Sequence, residues 1–281
     1  MAWLRFSLKV PKDQADFVSE NFENLGAVSV TLSDSSNQDI FEPPPGKTPL
    51  WQDVTVTGLF KDTVEVKKIW RQLVSILPLS CLKDLKSQNL TDKNWSRAWL
   101  KDFKPMRFGA KLWIVPAGMM PPQITAVNIK LDPGLAFGTG THPTTALCLE
   151  YLDSNPPNNK TVIDYGTGSG VLALAASMLG AKTVYAFDID SQALTATAAN
   201  ATKNNIDNIK IISEAKSIKP GSADLILANI LARPLLELAE DFYDLLKPDG
   251  ILILSGILEK QADEIINRDL CITPPPNMDK C

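Results

Sequence analysis

The residues best placed to do chemistry leave an apolar strand and open a helix: Val162-Ile-Asp-Tyr-Gly-Thr-Gly-Ser-Gly170. Glycines at 166, 168 and 170 let the backbone turn tightly and approach a ligand closely. The spacing is G-x-G-x-G, not the dinucleotide fingerprint G-x-G-x-x-G, so a pyrophosphate is not its natural partner. Alone, such a run can also be a plain structural turn. The next strand, Val184-Tyr-Ala-Phe-Asp188-Ile-Asp190, supplies an acid eighteen residues after Gly170. At the tip of the second strand of a doubly wound sheet, Asp188 can accept both hydroxyls of a ribose. Asp190, directly before Ser191, reads instead as a helix cap.

A third group closes another strand, Asp224-Leu-Ile-Leu-Ala-Asn229. The carboxyl ends of adjacent parallel strands meet at one crevice, so Asn229 faces the same space as Gly166 and Asp188. Its side-chain oxygen can accept a hydrogen bond from a substrate amine and so aim the nitrogen lone pair at an electrophilic methyl; a turn or cap before Pro234 is its other reading. Upstream, a loop with glycines at 134, 138 and 140 could close over a ligand, with Thr145 offering a hydroxyl. His142, the only histidine, precedes Pro143 and reads as a loop or helix-start residue rather than a base.

Elements able to position these groups follow from the periodicity. From residue 111 onward, short apolar runs (112–115, 126–131, 162–163, 184–187, 209–212, 225–228, 251–254) alternate with amphipathic segments (170–179, 191–204, 233–246). This predicts a parallel sheet covered by helices on both faces. Before it, strand-like runs at 2–9, 28–32 and 53–60, helices at 13–25 and from Val64 to Leu73, and a weak strand at 81–85 give the split βαβ, ferredoxin-like order. Residues 91–103, with Trp95 and Trp99 at helical spacing, predict a connecting helix whose tryptophans pack against one domain or the other.

Composition narrows the partners. The 281 residues are 44% hydrophobic and 21% charged, with a formal net charge of −4. That balance gives no basic footprint, so no direct nucleic-acid partner is expected. Four cysteines without paired spacing and a single histidine argue against a zinc site and for free thiols in a reducing compartment. The N-terminal apolar run is too short for a signal peptide, and no stretch is long enough to span a bilayer. A soluble, cytoplasmic protein with no membrane partner is expected.

Three passages together, Leu131-Asp-Pro-Gly-Leu-Ala-Phe-Gly-Thr-Gly-Thr-His-Pro-Thr-Thr145, the loop 162–170 and Ala228-Asn-Ile-Leu231, resemble the bacterial ribosomal protein L11 methyltransferases. Supporting matches are Asn94-Trp-Ser-Arg-Ala-Trp99, Phe103-Lys-Pro-Met-Arg-Phe-Gly109, Leu112-Trp-Ile114 and Leu254-Ser-Gly-Ile-Leu258. The resemblance implies a small ferredoxin-like α+β substrate-recognition domain over 1–90 and a linker helix over 91–105. It further implies an α/β methyltransferase domain over 106–281, built on a Rossmann-like seven-stranded sheet. S-adenosylmethionine is the implied cofactor and ribosomal protein L11 the implied partner, methylated on lysine ε-amines and the N-terminal α-amine. Cofactor contacts carry over to Thr145, Gly166, Asp188 and Asn229, with Asn229 also the candidate catalytic residue and no metal. Thr167 stands where the family often has cysteine. After Ile266 the family continues through a closing hairpin, whereas residues 267–281 here are proline-rich and the last strand is not evident. The expected chemistry is in-line displacement by a neutral amine, with adenine contacts near Ser213 and Glu214. Two alternatives are a methyltransferase acting on RNA and a non-catalytic protein that only binds the ribosomal protein.

Overall fold

The computed structural model describes residues 3–38, 40, 48–90, 104–116, 118–131 and 142–271. The chain falls into two units, Met1–Trp99 and Leu100–Cys281. The expected linker helix, with Trp95 and Trp99, and most of the glycine loop before His142 lie outside the described residues.

In the first unit, strand β1 (Trp3–Pro11) buries Leu4, Phe6, Leu8 and Val10, while the residues between them face outward. This period of two is what a sheet covered on one face requires. β1 pairs antiparallel with β3 (Asp53–Lys61) and β4 (Lys86–Leu90), and β2 (Ser29–Asp34) pairs with β3, giving the order β2-β3-β1-β4. Helices α1 (Ala15–Asn24) and α2 (Val66–Ile76) supply Val18, Phe22, Ile69 and Leu73 to the covered face. Gly26, at φ +90°, ends α1, and the Ala27 amide reaches back to the Phe22 carbonyl at 2.9 Å. Phe60 is the centre of the core, with its ring edge-on to Phe6 (centroids 5.8 Å) and Phe22 (6.0 Å). A Cβ at Gly58 would stand 2.7 Å from the Phe22 ring, so glycine there makes room for it.

The strand expected at 81–85 is instead a turn of helix, α3 (Leu79–Leu82), and pairing begins at Lys86. Cys81 and Leu85 are buried against the core, which is why their spacing suggested a strand. The true edge strand, Lys-Ser-Gln-Asn-Leu, is almost wholly exposed and shows no apolar alternation.

The second unit opens with β5 (Met106–Phe108), β6 (Leu112–Val115) and β7 (Val127–Lys130), a three-stranded sheet in that order. Asp153, near the end of α4 (Pro143–Ser154), accepts the amides of Ala110 (2.6 Å) and Lys111 (2.9 Å) and so fixes the β5–β6 turn. Parallel strands β8 (Thr161–Tyr165), β9 (Thr183–Phe187), β10 (Ile209–Ile212), β11 (Ala223–Asn229) and β12 (Leu246–Ser255) then alternate with α5 (Val171–Met178), α6 (Ser191–Lys203) and α7 (Ala232–Leu245). α8 (Glu259–Cys271) follows. Among the described residues their sheet order is β10-β9-β8-β11-β12, five strands against an expected seven with the last not evident. From β8 the chain moves to β9 on one side and later returns to β11 on the other. That reversal opens a crevice at the carboxyl ends of β8 and β11. No helix among the described residues is long and apolar enough to cross a membrane.

Phe60→Ala removes the ring that joins β1, β3 and α1. It should destabilise the first unit by about 3–5 kcal/mol in urea titration of the full chain. A loss under about 1 kcal/mol would show that the three rings do not form the centre of this core.

Candidate active site

The crevice is a cavity of about 590 Å³ at the switch point, within the range of small-molecule sites. Gly166, Gly168, Val171, Phe187, Asp188, Ile189, Thr145 and Asn229 all line it. The four sequence-derived site residues therefore share one space.

The glycine loop is held from both sides. Gly166 (φ +78°), Gly168 (+55°) and Gly170 (+83°) have left-handed backbone, which side chains other than hydrogen disfavour. The amides of Gly166 and Thr167 both donate to the Phe187 carbonyl, at 2.8 and 2.9 Å, which ties the loop to the end of β9. On the opposite side, α6 restrains the loop carbonyls. Thr197 Oγ1 donates to Gly168 O at 3.1 Å, and Asn200 Nδ2 donates to Ser169 O at 2.8 Å. From below, Asp164 Oδ2 accepts Thr167 Oγ1 (2.7 Å) and the Ala173 amide (2.9 Å).

Asp188 accepts one amide on each oxygen, Gly168 N on Oδ2 and Asp190 N on Oδ1, both at 2.9 Å. An ionised carboxylate has about four acceptor sites, so each oxygen keeps capacity for a ligand hydroxyl. Asp190 caps α6 through the Gln192 amide at 2.8 Å and takes no place in the cavity lining. Beside Asp188, Ile189 is 93% exposed inside the cavity, an apolar surface available to a flat ring. Ser213 and Glu214, expected near an adenine, do not line the cavity.

On the far wall, Thr145 is buried to 1% exposure, and Asn229 Nδ2 donates to its Oγ1 at 3.0 Å. That bond orients the amide with Oδ1 as its remaining acceptor. Ser255 Oγ donates to Thr144 O at 3.0 Å and anchors the start of α4 on β12. His142 is the N-cap of α4: its Nδ1 accepts the Thr144 amide at 3.3 Å and lies 2.6 Å from Thr144 Oγ1. Ile230 is pinched between two glycines. A Cβ on Gly166 would stand 2.3 Å from Ile230 Cγ2, and one on Gly256 would stand 2.4 Å from Ile230 O.

Sequence reasoning missed Asp164, Thr197, Asn200 and Ile189. The available signal was an acid inside a strand otherwise buried and apolar, and two polar residues three apart on the inner side of a helix. Burial pushes the Asp164 carboxyl up to about 6, the Thr167 and Ala173 hydrogen bonds oppose the rise, and the charge of Asp188 adds to it. Burial also pushes the Cys148 thiol up to about 11, so this cysteine of α4 is an inert core group.

Because Asp164 has a higher pKa folded than unfolded, its contribution to stability is fully present below about pH 4. It is lost as pH rises through about 6. Asp164→Asn should therefore flatten the difference in melting temperature, measured against the parent chain, between pH 4 and pH 7. An unchanged pH profile would mean that Asp164 is ionised throughout.

A family model described as ribosomal protein L11 methyltransferase (PrmA) matches residues 2–270. A ribosomal protein L11 methyltransferase from Hydrogenovibrio crunogenus is 49% identical over 267 residues, 95% of this chain and 90% of that one. One from Legionella pneumophila is 47% identical over 266 residues, 93% and 91% of the two chains. Among solved structures, a ribosomal protein L11 methylase from Lactobacillus delbrueckii subsp. bulgaricus matches with a TM-score of 0.54 and 39% identity. That match covers 59% of this chain and 86% of the other.

Proposed function

The chain belongs to the ribosomal protein L11 methyltransferase family, and from that premise we propose how its residues carry out the transfer. It methylates ribosomal protein L11 with S-adenosylmethionine as cofactor. The acceptors are lysine ε-amines and the N-terminal α-amine. Residues 1–90 form the ferredoxin-like recognition domain, 91–105 the connection, and 106–281 the transferase on a Rossmann-like sheet. Its setting is the cytoplasm, where thiols such as Cys81 and Cys148 stay reduced.

The residues present suit the cofactor. The cavity volume fits a nucleoside-sized ligand, Asp188 retains acceptor capacity for ribose hydroxyls, and Ile189 offers an apolar face beside it. Bound there, S-adenosylmethionine supplies an electrophilic methyl on a sulfonium. Gly166 and its neighbours give the ligand close backbone approach, and Thr145 fixes Asn229.

The observation that carries the mechanism is the Asn229–Thr145 bond. With Nδ2 committed to Thr145, Asn229 presents Oδ1 to the incoming amine, accepts an N–H and orients the lone pair. Positioning of this kind is the main contribution a protein can make when the donor already carries the driving force. His142 is assigned no proton-transfer role: its ring caps α4, with Nδ1 against the Thr144 amide and hydroxyl. The ammonium gives its proton to water before attack, and the neutral nitrogen takes the methyl with S-adenosylhomocysteine as the leaving group. The apolar rim, with Leu231 60% exposed in the cavity wall, favours the neutral form.

Asn229→Ala should lower methyl transfer about 100-fold, the scale of a misplaced reactant, while cofactor affinity measured by calorimetry stays within about threefold. Equal loss of both would assign Asn229 to cofactor binding alone. The substrate is tested with labelled S-adenosylmethionine and purified L11. Label on RNA or a small molecule, with none on L11, would sink the assignment.

A further inference from the structure

The chain-wide charge of −4 conceals a segregation within the first unit. The register of its sheet fixes which side chains share the uncovered face. Arg5 lies opposite Leu59 and Gln88, Ser7 opposite Thr57 and Lys86, Lys9 opposite Thr55, and Trp3 opposite Lys61 and Leu90. β2 adds Ser29, Thr31 and Ser33, opposite Leu59, Thr57 and Thr55. Directly paired residues point to the same side of a sheet. Arg5, Lys9, Lys61 and Lys86 therefore stand together on this face, all exposed. Asp53, opposite Pro11 at one end, is the only carboxylate on it among the described residues. The helix-covered side is mixed: α1 carries Asp16, Glu20 and Glu23 with no cation, and α2 carries Lys67, Lys68 and Arg71 with no acid, whereas the open face is nearly free of acids.

The cations follow the line of β1, from Lys9 past Lys86 and Arg5 to Lys61. At the rise of an extended chain this stripe is about 20 Å long. Arg5 is hydrogen-bonded to Gln88, and Lys9, Lys61 and Lys86 form no ion pair with a described residue. Between and beside them stand hydroxyls, Ser7, Thr55, Thr57 and Thr31, and at one end the Trp3 ring.

From this we propose that the open sheet face of the first unit binds the phosphate backbone of RNA. A linear stripe of cations that form no ion pair among the described residues, flanked by hydroxyl donors, is an arrangement that can track a phosphodiester chain, and a terminal aromatic ring offers a base a stacking surface. The centre of the face holds Ser7, Thr57, Arg5 and Leu59 rather than aromatic rings, so binding depends on charge and not on sequence. In an enzyme whose substrate is a ribosomal protein, this face engages RNA near that substrate. That extension rests on the reading above, whereas the RNA contact itself does not.

The test measures binding of an unstructured RNA of about 12 nucleotides to the full chain across a salt series. Four neutralised phosphates give a slope of log affinity against log salt of about −3. Lys9→Gln with Lys61→Gln should weaken binding about tenfold and reduce the slope to roughly half, with cofactor binding by calorimetry confirming an intact second unit. No RNA binding at low salt, or variants that bind RNA like the parent, overturns the proposal. So does a poly-glutamate of equal charge binding as tightly as RNA. A raised KM for L11 with unchanged RNA affinity would make the face a protein dock. Methyl transfer to L11 free of RNA reads the enzymatic assignment separately, so the two can fail independently.

Discussion

Asp164 stands next to the end of β8 with its side chain almost wholly buried, and its Oδ2 is where the Thr167 hydroxyl and the Ala173 amide both donate. The bonds join the head of β8 to the loop and to the first turn of α5, so the glycines between them cannot relax toward ordinary helical backbone. The loop amides are thereby set against β9, and Gly168 meets Asp188. The Asn229 wall is built separately, through Thr145 and the strap from Ser255 to α4. One wall is rigid backbone and the other is a pair of side chains, and the cavity is the space they leave.

That division gives the site an electrostatic character as well as a shape. Asp164 and Asp188 stand close enough for each charge to bear on the other, inside walls that are otherwise largely apolar. Burial raises the Asp164 carboxyl, and the charge of Asp188 adds to that rise. The first unit applies the opposite sign on an open surface, where water screens the charges and only a long polyanion can recruit several at once.

Much of this was legible in the sequence, for physical reasons. The glycine spacing, the acid at the tip of the next strand and the asparagine at the end of β11 are each fixed by local geometry, and a parallel sheet brings its strand ends together whatever the helices do. What could not be read depended on pairing. The edge strand at Lys86–Leu90 has no apolar rhythm, and only its partner β1 makes it a strand. Thr197 and Asn200 act on the loop from a helix some thirty residues away. Their spacing on one side of the helix is visible in the sequence, but its target, the loop carbonyls, is not. Ile189 joins the cavity lining, and Ser213 and Glu214 do not, because of where β9 ends at the crevice, which periodicity alone does not give. In the same way, the sum of charges hid the stripe on β1, since a sum does not record which face each residue occupies.

Ile230 offers a last consequence. Its methyl group fills the volume a side chain at Gly166 would need, and its carbonyl fills the volume a side chain at Gly256 would need. Residues sixty-four and twenty-six positions apart are therefore bound to one another's history. A lineage that keeps a branched residue at 230 has no path to alanine at 166, whereas one that trims residue 230 opens that path only at the cost of a strained φ. At 256 the obstacle is backbone and stays whatever residue 230 becomes. A smaller residue at 230 is thus the condition for any side chain at 166, and no change at 230 makes room for one at 256.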